Sequence, residues 1–229
     1  MLMQLSGRLQ RIAELIRPGD RIIDVGTDHA YIPIWLLLQE PSATAIATDI
    51  RSGPLERART DAVYYGVADR LTLLLCDGLS LCAPDDADTV ILAGMGGETM
   101  IGILSAAPWT LDKRLILQPQ TKQDELRAWL GANGYAIKDA VLAYDTGRIY
   151  LVWCVEAGEM PPFHGVDGAL LSRRDPLLKP WLSEQIKRLR KRLNGVLQAR
   201  AENAELTEAL QSQLEALGKY YREVETWQV

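Results

Sequence analysis

Histidine and cysteine are scarce in this chain, and their scarcity limits the sites that it can build. The 229 residues include three cysteines and two histidines. Cys76, Cys82 and Cys154 show no Cys-x-x-Cys spacing, so buried free thiols are favoured over disulfides or a metal site. His29 and His164 offer too few ligands for a structural zinc ion. No metal is therefore expected.

Long apolar runs are also missing. No run approaches the roughly 20 residues that a membrane-spanning helix needs. The first eight residues lack the basic flank and apolar core of a secretory signal, so a cytoplasmic protein is expected. With 48% hydrophobic and 24% charged residues, the chain can bury a full core in one domain and carry an appendage.

The apolar runs that do occur are short, and each ends in an acid or in glycine. The first run, 21–25, carries Asp24 near its end and is followed by Gly26, and the second, 44–50, ends with Asp49 and Ile50. The third, 71–76, is followed by Asp77 and Gly78, and the fourth, 89–93, is followed by Gly94, Met95 and Gly96. Any one of these endings is ordinary strand-to-loop punctuation. Four in sequence, alternating with helical patterns, predict a ligand cleft at the carboxyl edge of a parallel sheet.

The spacing of the acids indicates a nucleotide-like ligand. Asp49 follows Asp24 by 25 residues, close to the roughly 20-residue offset at which a carboxylate binds ribose hydroxyls. Gly26 lets backbone approach a ligand at the first turn, although the other glycines of the dinucleotide fingerprint are missing. For Asp24 and Asp77, and less so for Asp49, capping and turn formation remain open as alternatives to ligand binding.

The first 156 residues read as one α/β domain. An amphipathic helix with Leu5, Leu9, Ile12 and Ile16 on one face precedes the alternating strands and helices. The fifth strand is predicted to close at Pro119, and two strands that lie close together finish the series. This order predicts a Rossmann-like sheet of seven strands with an antiparallel edge pair, which is typical of S-adenosylmethionine methyltransferases rather than dehydrogenases.

Residues 157–229 read as a linker followed by a coiled-coil-like helical hairpin. Two sets of apolar residues recur at spacings of three and four: Leu182, Ile186, Leu189, Leu193 and Val196, then Leu210, Leu214, Leu217, Tyr221 and Val224. Residues 173–200 carry nine Lys or Arg and two acids, whereas residues 201–229 carry two and six. These charges either pair the two helices or leave the basic helix free to contact phosphate, and both can hold.

Six segments together resemble one known family. They are Leu5-Ser6-x-Arg8-Leu9, Asp24-Val25-Gly26-Thr27-Asp28-His29-Ala30-Tyr31-Ile32-Pro33, Gly53-Pro54-Leu55, Asp77-Gly78-Leu79, Ala93-Gly94-Met95-Gly96-Gly97 and Leu115-Ile116-Leu117-Gln118-Pro119. In order, and over nearly the whole chain, they are similar to the bacterial tRNA (adenine-22, N1) methyltransferases. The resemblance implies methyl transfer from S-adenosylmethionine to N1 of an adenine in the D-arm region of tRNA.

The first turn fits that chemistry. Neutral adenine N1 has a free lone pair, so the site must supply alignment and acceptors for the growing positive charge rather than a strong base. Asp28 can accept from the N6 amino group, Tyr31 can stack on the base, and His29 either positions them or caps the turn. The Asp/Asn-Pro-Pro-aromatic signature of exocyclic-amine methylation is absent after the fourth strand, which favours a ring nitrogen.

These considerations define three sets of predicted site residues. The catalytic set is Asp28, His29 and Tyr31. The cofactor set consists of Asp24, Gly26, Thr27, Asp49, Ile50, Asp77, Gly78, Gly94, Met95 and Gly96. The RNA-binding set consists of Arg8, Arg11, Lys187, Arg188, Arg190, Lys191 and Arg192.

The expected partner is tRNA, with no membrane and no metal, and a monomer is favoured, although a dimer through the hairpin stays open. Two other functions also stay open. One is a methyltransferase acting on a protein or a small molecule, and the other is a catalytically silent binding module.

Overall fold

The computed structural model describes residues 3–198 and 204–228. The chain divides into two compact units, with the division between Pro161 and Pro162. Arg200, which contributes to the basic count of residues 173–200, lies outside the described residues.

The first unit is built on a seven-stranded sheet in the order β3-β2-β1-β4-β5-β7-β6. Its strands are β1 Ile22–Val25, β2 Ala45–Asp49, β3 Leu71–Leu75, β4 Thr89–Gly96, β5 Arg114–Thr121, β6 Tyr135–Asp145 and β7 Arg148–Ala157. The first five strands are parallel, and β7 runs antiparallel to both β5 and β6. The predicted Rossmann-like sheet with an antiparallel edge pair is confirmed.

Helices join and cover the strands of this sheet. They are α1 Gly7–Ala13, α2 Tyr31–Gln39, α3 Ser52–Tyr65, α4 Gly97–Ala106 and α5 Gln123–Ala132, with short 3-10 segments at Pro84–Asp86 and Pro108–Asp112. The central strands read as continuous apolar runs because both of their faces are covered. Ile23 of β1, Ile91 of β4 and Ile116 of β5 are completely buried.

Two strands run farther than the sequence predicts. The prediction that β5 closes at Pro119 is wrong, and β4 likewise continues past Ala93, because the two strands keep pairing through Met95 with Pro119 and Gly96 with Thr121. Pro119 has no N–H to donate, and it is accommodated where the register shifts. This extension brings the carboxyl ends of β4 and β5 to the same place at the sheet edge.

The short first helix is anchored to β6. Ser6 donates from Oγ to Asp145 Oδ2 at 2.7 Å, and Arg11 donates from Nε to the Leu142 carbonyl at 3.3 Å. A side chain at Gly7 would collide with the Tyr144 carbonyl oxygen, so glycine is required for this close approach. These contacts fix the position of α1 on the first unit.

The second unit contains α6 Gly168–Ser172, α7 Leu178–Gln198 and α8 Ala204–Glu225. Helices α7 and α8 pack against each other, and Lys179 of α7 binds Glu225 of α8 at 3.2 Å, so the helices run antiparallel. Leu182 and Leu217, both on the predicted apolar seams, are buried. The predicted helical hairpin is confirmed. Among the described helices, none is both long and apolar enough to cross a bilayer.

Candidate active site

A cavity of about 360 Å³ lies at the carboxyl ends of β1 and β4. Its wall is formed by α1, by the turn between β1 and α2, and by the ends of β4 and β5. The lining residues are Arg8, Leu9, Asp24, Gly26, Thr27, Asp28, His29, Ala30, Tyr31, Ile32, Ala93, Gly94 and Gln120. The cavity brings together all three predicted catalytic residues and four of the predicted cofactor residues.

Hydrogen bonds hold the turn after β1 in a strained conformation. The N–H groups of Gly26 and Thr27 both donate to the Thr48 carbonyl, at 2.8 and 2.9 Å. The Thr27 hydroxyl donates to Asp24 Oδ2 at 2.7 Å and accepts from the Ala30 N–H at 2.9 Å. Ala30 itself has a φ of 51°, in the left-handed region, where a non-glycine residue carries about 1–3 kcal/mol of strain. The turn is therefore preorganised by its own side chains.

Asp24 is the buried acid of this turn, with 8% of its surface exposed. Burial raises the pKa of its carboxyl to about 6, against the opposing effects of the Thr27 hydrogen bond and the positive charge of Arg8. Asp24 is consequently ionised at neutral pH, and it becomes protonated in mild acid.

Asp28 and His29 are held by side chains of α3, and Tyr31 is held by the His29 ring. Asp28 forms an ion pair with Arg57, which lowers the pKa of that carboxyl. His29 Nδ1 lies 2.7 Å from Asp61 Oδ2, and the His29 ring stacks on the Tyr31 ring with centroids 4.8 Å apart. Partial burial raises the pKa of Tyr31, so its hydroxyl stays neutral.

Sequence reasoning missed Arg57 and Asp61. The two residues carry opposite charges and lie four positions apart on the helix that follows the second strand. This spacing places both on one helix face, so the sequence pattern could have indicated them.

Gln118 is the other functional residue that sequence reasoning missed. It is 1% exposed, and its Oε1 accepts from both the Arg8 guanidinium and the Gly94 N–H, each at 3.1 Å. Its buried Nε2 has no partner among the described residues. The guanidinium also lies 5.7 Å from the centroid of the Tyr150 ring. A glutamine at the end of an apolar strand was the available signal, since a buried amide needs polar partners.

The two predicted RNA-binding residues of α1 occupy different environments. Arg8 lines the cavity. Arg11 does not; its guanidinium binds the Leu142 carbonyl and Glu14, the latter at 2.7 Å. The structure thus separates two arginines that the sequence treated alike.

The remaining predicted cofactor residues lie outside this cavity, at the ends of the neighbouring strands. They are Asp49, Ile50, Asp77, Gly78, Met95 and Gly96. Asp49 is 6% exposed and accepts from the Arg51 N–H at 2.8 Å. A side chain at Gly26 would collide with the end of Met95, so these two residues are in close contact. Their roles in cofactor binding stay predictions.

The five predicted RNA-binding cations of the hairpin, Lys187, Arg188, Arg190, Lys191 and Arg192, are all exposed on α7. Arg188 lies 3.7 Å from Glu184 of the same helix. Within residues 162–198 and 204–228, the other four form no ion pair. Residues 3–198 and 204–228 contain no cluster of His, Cys, Asp and Glu that could hold a metal ion.

The chain matches known methyltransferases in sequence and structure. Residues 5–153 match a family described as a methyltransferase domain. The tRNA (adenine(22)-N(1))-methyltransferase of Bacillus subtilis is 35% identical over 185 residues, which cover 80% of this chain and 76% of that protein.

Two solved structures of similar proteins hold ligands. Streptococcus pneumoniae Sp1610 in complex with S-adenosyl-L-methionine has a TM-score of 0.81 at 27% identity, covering 95% of this chain and all of that one (100%). M. capricolum TrmK in complex with S-adenosyl-homocysteine has a TM-score of 0.77 at 25% identity, covering 97% and 99%. These similarities establish that the chain belongs to the tRNA (adenine(22)-N(1))-methyltransferase family.

Proposed function

We propose that this protein transfers a methyl group from S-adenosylmethionine to N1 of adenine 22 in tRNA. The observation that carries the proposal is the cavity at the carboxyl ends of β1 and β4, which Asp28, His29 and Tyr31 line together with Gly26 and Gly94. Ligands of open α/β sheets bind at this edge. Family membership supports both the methyl donor and the tRNA substrate.

The residues present fit S-adenosylmethionine, which when bound supplies a methyl group activated by its sulfonium centre. Asp24 and Arg8 offer opposite charges to its amino-acid end. Gly26 and Gly94, with φ angles of 71° and 78°, let backbone approach the ligand where a side chain would be strained. Asp49, buried at the end of β2, is the proposed acceptor for ribose hydroxyls.

Asp28 and its neighbours can serve the adenine. The N1 lone pair is free at neutral pH, so the protein needs no base to remove a proton before attack. As the methyl group arrives, positive charge spreads toward N6, and the Asp28 carboxylate can accept from that amino group. Arg57 keeps Asp28 ionised. The contact of His29 with Asp61 fixes the imidazole against Tyr31. Tyr31 is 39% exposed, and its ring can stack on a base.

The exposed cations of α7 are the proposed tRNA contacts. N1 lies on the Watson–Crick edge, so adenine 22 must be unpaired or flipped out before it reaches the cavity. Phosphate contacts made by α7 would position the RNA without reading its sequence.

Nucleoside analysis tests the activity. The protein is incubated with S-adenosylmethionine and an unmodified tRNA transcript that contains adenine 22, and the digest is examined by mass spectrometry for 1-methyladenosine. The expected result is one methylated adenine per tRNA, and none in a matched transcript with guanine at position 22. Equal methylation of both transcripts would contradict the assigned position. No methylation by folded protein that binds S-adenosylmethionine would overturn the RNA substrate.

An Asp28→Asn variant tests the role of the carboxylate. It should bind S-adenosylmethionine normally and methylate tRNA at least about 100-fold more slowly, since a lost transition-state contact of this type costs about 2.7–4 kcal/mol. A normal rate would remove Asp28 from the catalytic set.

A further inference from the structure

Gln120 is a polar residue of the cavity wall, near the end of β5. Two other polar side chains of this wall are bound to α3, Asp28 to Arg57 and His29 to Asp61. Gln120 is exposed, and among the residues that the structure describes its amide has no hydrogen-bond partner. An amide carries two N–H donors and an acceptor oxygen. All of these groups are therefore available to a ligand in the cavity.

The backbone on both sides of Gln120 is held in place. β4 and β5 keep pairing up to Gly96 and Thr121, and a Cβ at Gly96 would lie only 2.9 Å from Thr121 Oγ1. Gln123 Nε2 donates to the Pro119 carbonyl at 3.1 Å. The extension of β5 past Pro119 therefore brings Gln120 to the cavity on a fixed backbone, while its side chain remains available.

Gly94 keeps the space in front of Gln120 open. A Cβ at Gly94 would lie 3.8 Å from Gln120 Nε2 and 3.8 Å from Arg8 Nη1, so a longer side chain there would fill the gap between these two groups. In the sheet, β4 lies between β1 and β5. Neighbouring strands are about 4.8 Å apart, so the ends of β1 and β5 are separated by roughly 10 Å. One flat base can lie between the turn after β1 and Gln120.

The chemistry of adenine leaves one of its edges for such a residue. N1 and one N6–H lie on the Watson–Crick edge, where the methyl group arrives and Asp28 is the proposed acceptor. The other N6–H lies beside N7 on the Hoogsteen edge. A glutamine amide matches these two groups, because its oxygen accepts from N6 and its N–H donates to N7. Guanine carries an acceptor oxygen in place of N6, so it offers no donor to either side chain.

We propose that Gln120 binds the Hoogsteen edge of the target adenine, with Oε1 accepting from N6 and Nε2 donating to N7, and that this contact helps to select adenine over guanine. The inference rests on the proposed function and adds to it a residue that identifies the base. Asp28 and Gln120 each accept one of the two N6 hydrogens, while Tyr31 stacks on the face of the ring.

A paired change in the protein and in the RNA tests this contact. The wild type and a Gln120→Ala variant are assayed on a tRNA with adenine at position 22 and on one with 7-deazaadenine there, which has C–H in place of N7 and retains N1 and N6. On adenine, kcat/KM of the variant should be about 10- to 100-fold lower than that of the wild type.

The analogue separates the N7 contact from other causes of that loss. Replacing adenine by 7-deazaadenine should lower kcat/KM of the wild type by about 3- to 10-fold more than that of the variant, because the variant has no donor for N7. Any intrinsic effect of the analogue on the reactivity of N1 is common to both proteins and cancels in this comparison.

Two further variants serve as controls. Gln120→Glu retains an acceptor for N6 but has no donor for N7, so it should respond to the analogue as Gln120→Ala does. Gln39→Ala removes an exposed amide of the same unit outside the cavity, and it should behave as the wild type on both RNAs. All three variants should bind S-adenosylhomocysteine with wild-type affinity in calorimetric titrations.

Three results would contradict the inference. They are a normal kcat/KM for Gln120→Ala, an equal response of this variant and the wild type to the analogue, and a loss of S-adenosylhomocysteine affinity, which would assign Gln120 to the donor site. Failure of the wild type to methylate the tRNA that contains adenine 22 would instead overturn the proposed function.

Discussion

The turn after β1 and the helix α7 handle their charges in opposite ways. In the turn, Asp28 pairs with Arg57 and His29 with Asp61. On α7, five cations are exposed, and among the residues that the structure describes only Arg188 of the five is paired, with Glu184 of the same helix. The turn thus has fixed geometry, whereas these five cations of α7 are exposed to solvent.

This difference matches the ligands that the two regions are proposed to bind. A small donor and a single base must be aligned within a fraction of an ångström, which requires side chains held by partners. A polyanion is attracted by the summed field of several cations, and the field needs little geometric precision. We therefore propose that the charges held by partners in the turn act on the base, whereas the exposed charges of α7 attract the nucleic acid.

Removal of the second unit should give the largest effect. A chain that ends at Pro161 retains the whole sheet and the cavity, so it should bind S-adenosylhomocysteine as the full chain does. Its rate of tRNA methylation at subsaturating tRNA should fall by about 100-fold, because the phosphate contacts of α7 are lost. Calorimetry and methyl-transfer assays measure the two quantities. Methylation at the full-length rate would show that the first unit alone recognises tRNA.

Substitution of Asp49 by alanine should weaken binding of the methyl donor and leave binding of tRNA unchanged. Loss of a charge-assisted acceptor for the ribose costs about 1.5–3 kcal/mol, which is a 10- to 100-fold weaker affinity at roughly 1.4 kcal/mol per decade. Titration calorimetry measures the change, and a thermal melt verifies that the variant is folded, since Asp49 also accepts from the Arg51 N–H. Asp69→Ala removes an exposed carboxylate of the same unit and is the control. If both variants bind the donor like the wild type, Asp49 lies outside the site.

The sequence predicted the sheet well because its signal is local. A buried parallel strand needs a continuous apolar run, and a ligand-binding turn needs a small residue and polar side chains, so both can be read directly along the chain. The strand ends were read less well. Pro119 looked like a stop, but β5 continues to Thr121 because its partner β4 also continues. Pairing with a neighbouring strand is a tertiary effect that a single segment does not reveal.

The site was predicted in part for the same reason. Asp24, Asp28 and His29 follow one another in a recognisable turn, and they meet in the cavity. Arg57 and Asp61, the partners of Asp28 and His29, come from α3, and Gln118, the partner of Arg8, comes from β5, so only the fold brings them there. Arg8 and Arg11 looked equivalent on a helix face. Their roles diverge because one side chain reaches the cavity and the other reaches the Leu142 carbonyl.

The pH dependence of donor binding should follow Asp24. Burial raises the pKa of this carboxyl to about 6, so the ionised form that attracts the ammonium is lost as the pH falls. Affinity for S-adenosylhomocysteine should fall about tenfold between pH 7 and pH 5. An Asp24→Asn variant should bind weakly with a flat profile. A wild-type affinity that is constant over this range would show that Asp24 does not bind the ammonium.

The protonation of Asp24 does not itself destabilise the fold at the lower pH. A carboxyl whose pKa is raised in the folded state binds its proton more tightly there than in the unfolded chain. Its contribution to the free energy of unfolding therefore falls as the pH rises from the pKa of the unfolded chain to the folded pKa of about 6, and it stays low at higher pH. The Asp24 contribution to stability is therefore more favourable at pH 5 than at pH 7. Thermal melts of the wild type and the Asn variant at both pH values separate weaker binding from a loss of fold.

The smallest effect should come from removing two of the positive charges of α7. Arg188 and Lys191 lie three apart and off the apolar seam, so changing both to Gln should weaken tRNA binding several-fold and make the slope of log affinity against log salt shallower by up to about two units. The melting temperature should barely change, because exposed ion pairs contribute roughly 0–1 kcal/mol each.

Changing Lys219 and Arg222 of α8 to Gln removes the same charge from the other helix, and this control should leave the slope unchanged. Equal slopes in all three proteins, with a lower melting temperature for the α7 variant, would assign these charges to helix pairing and shift RNA binding away from α7.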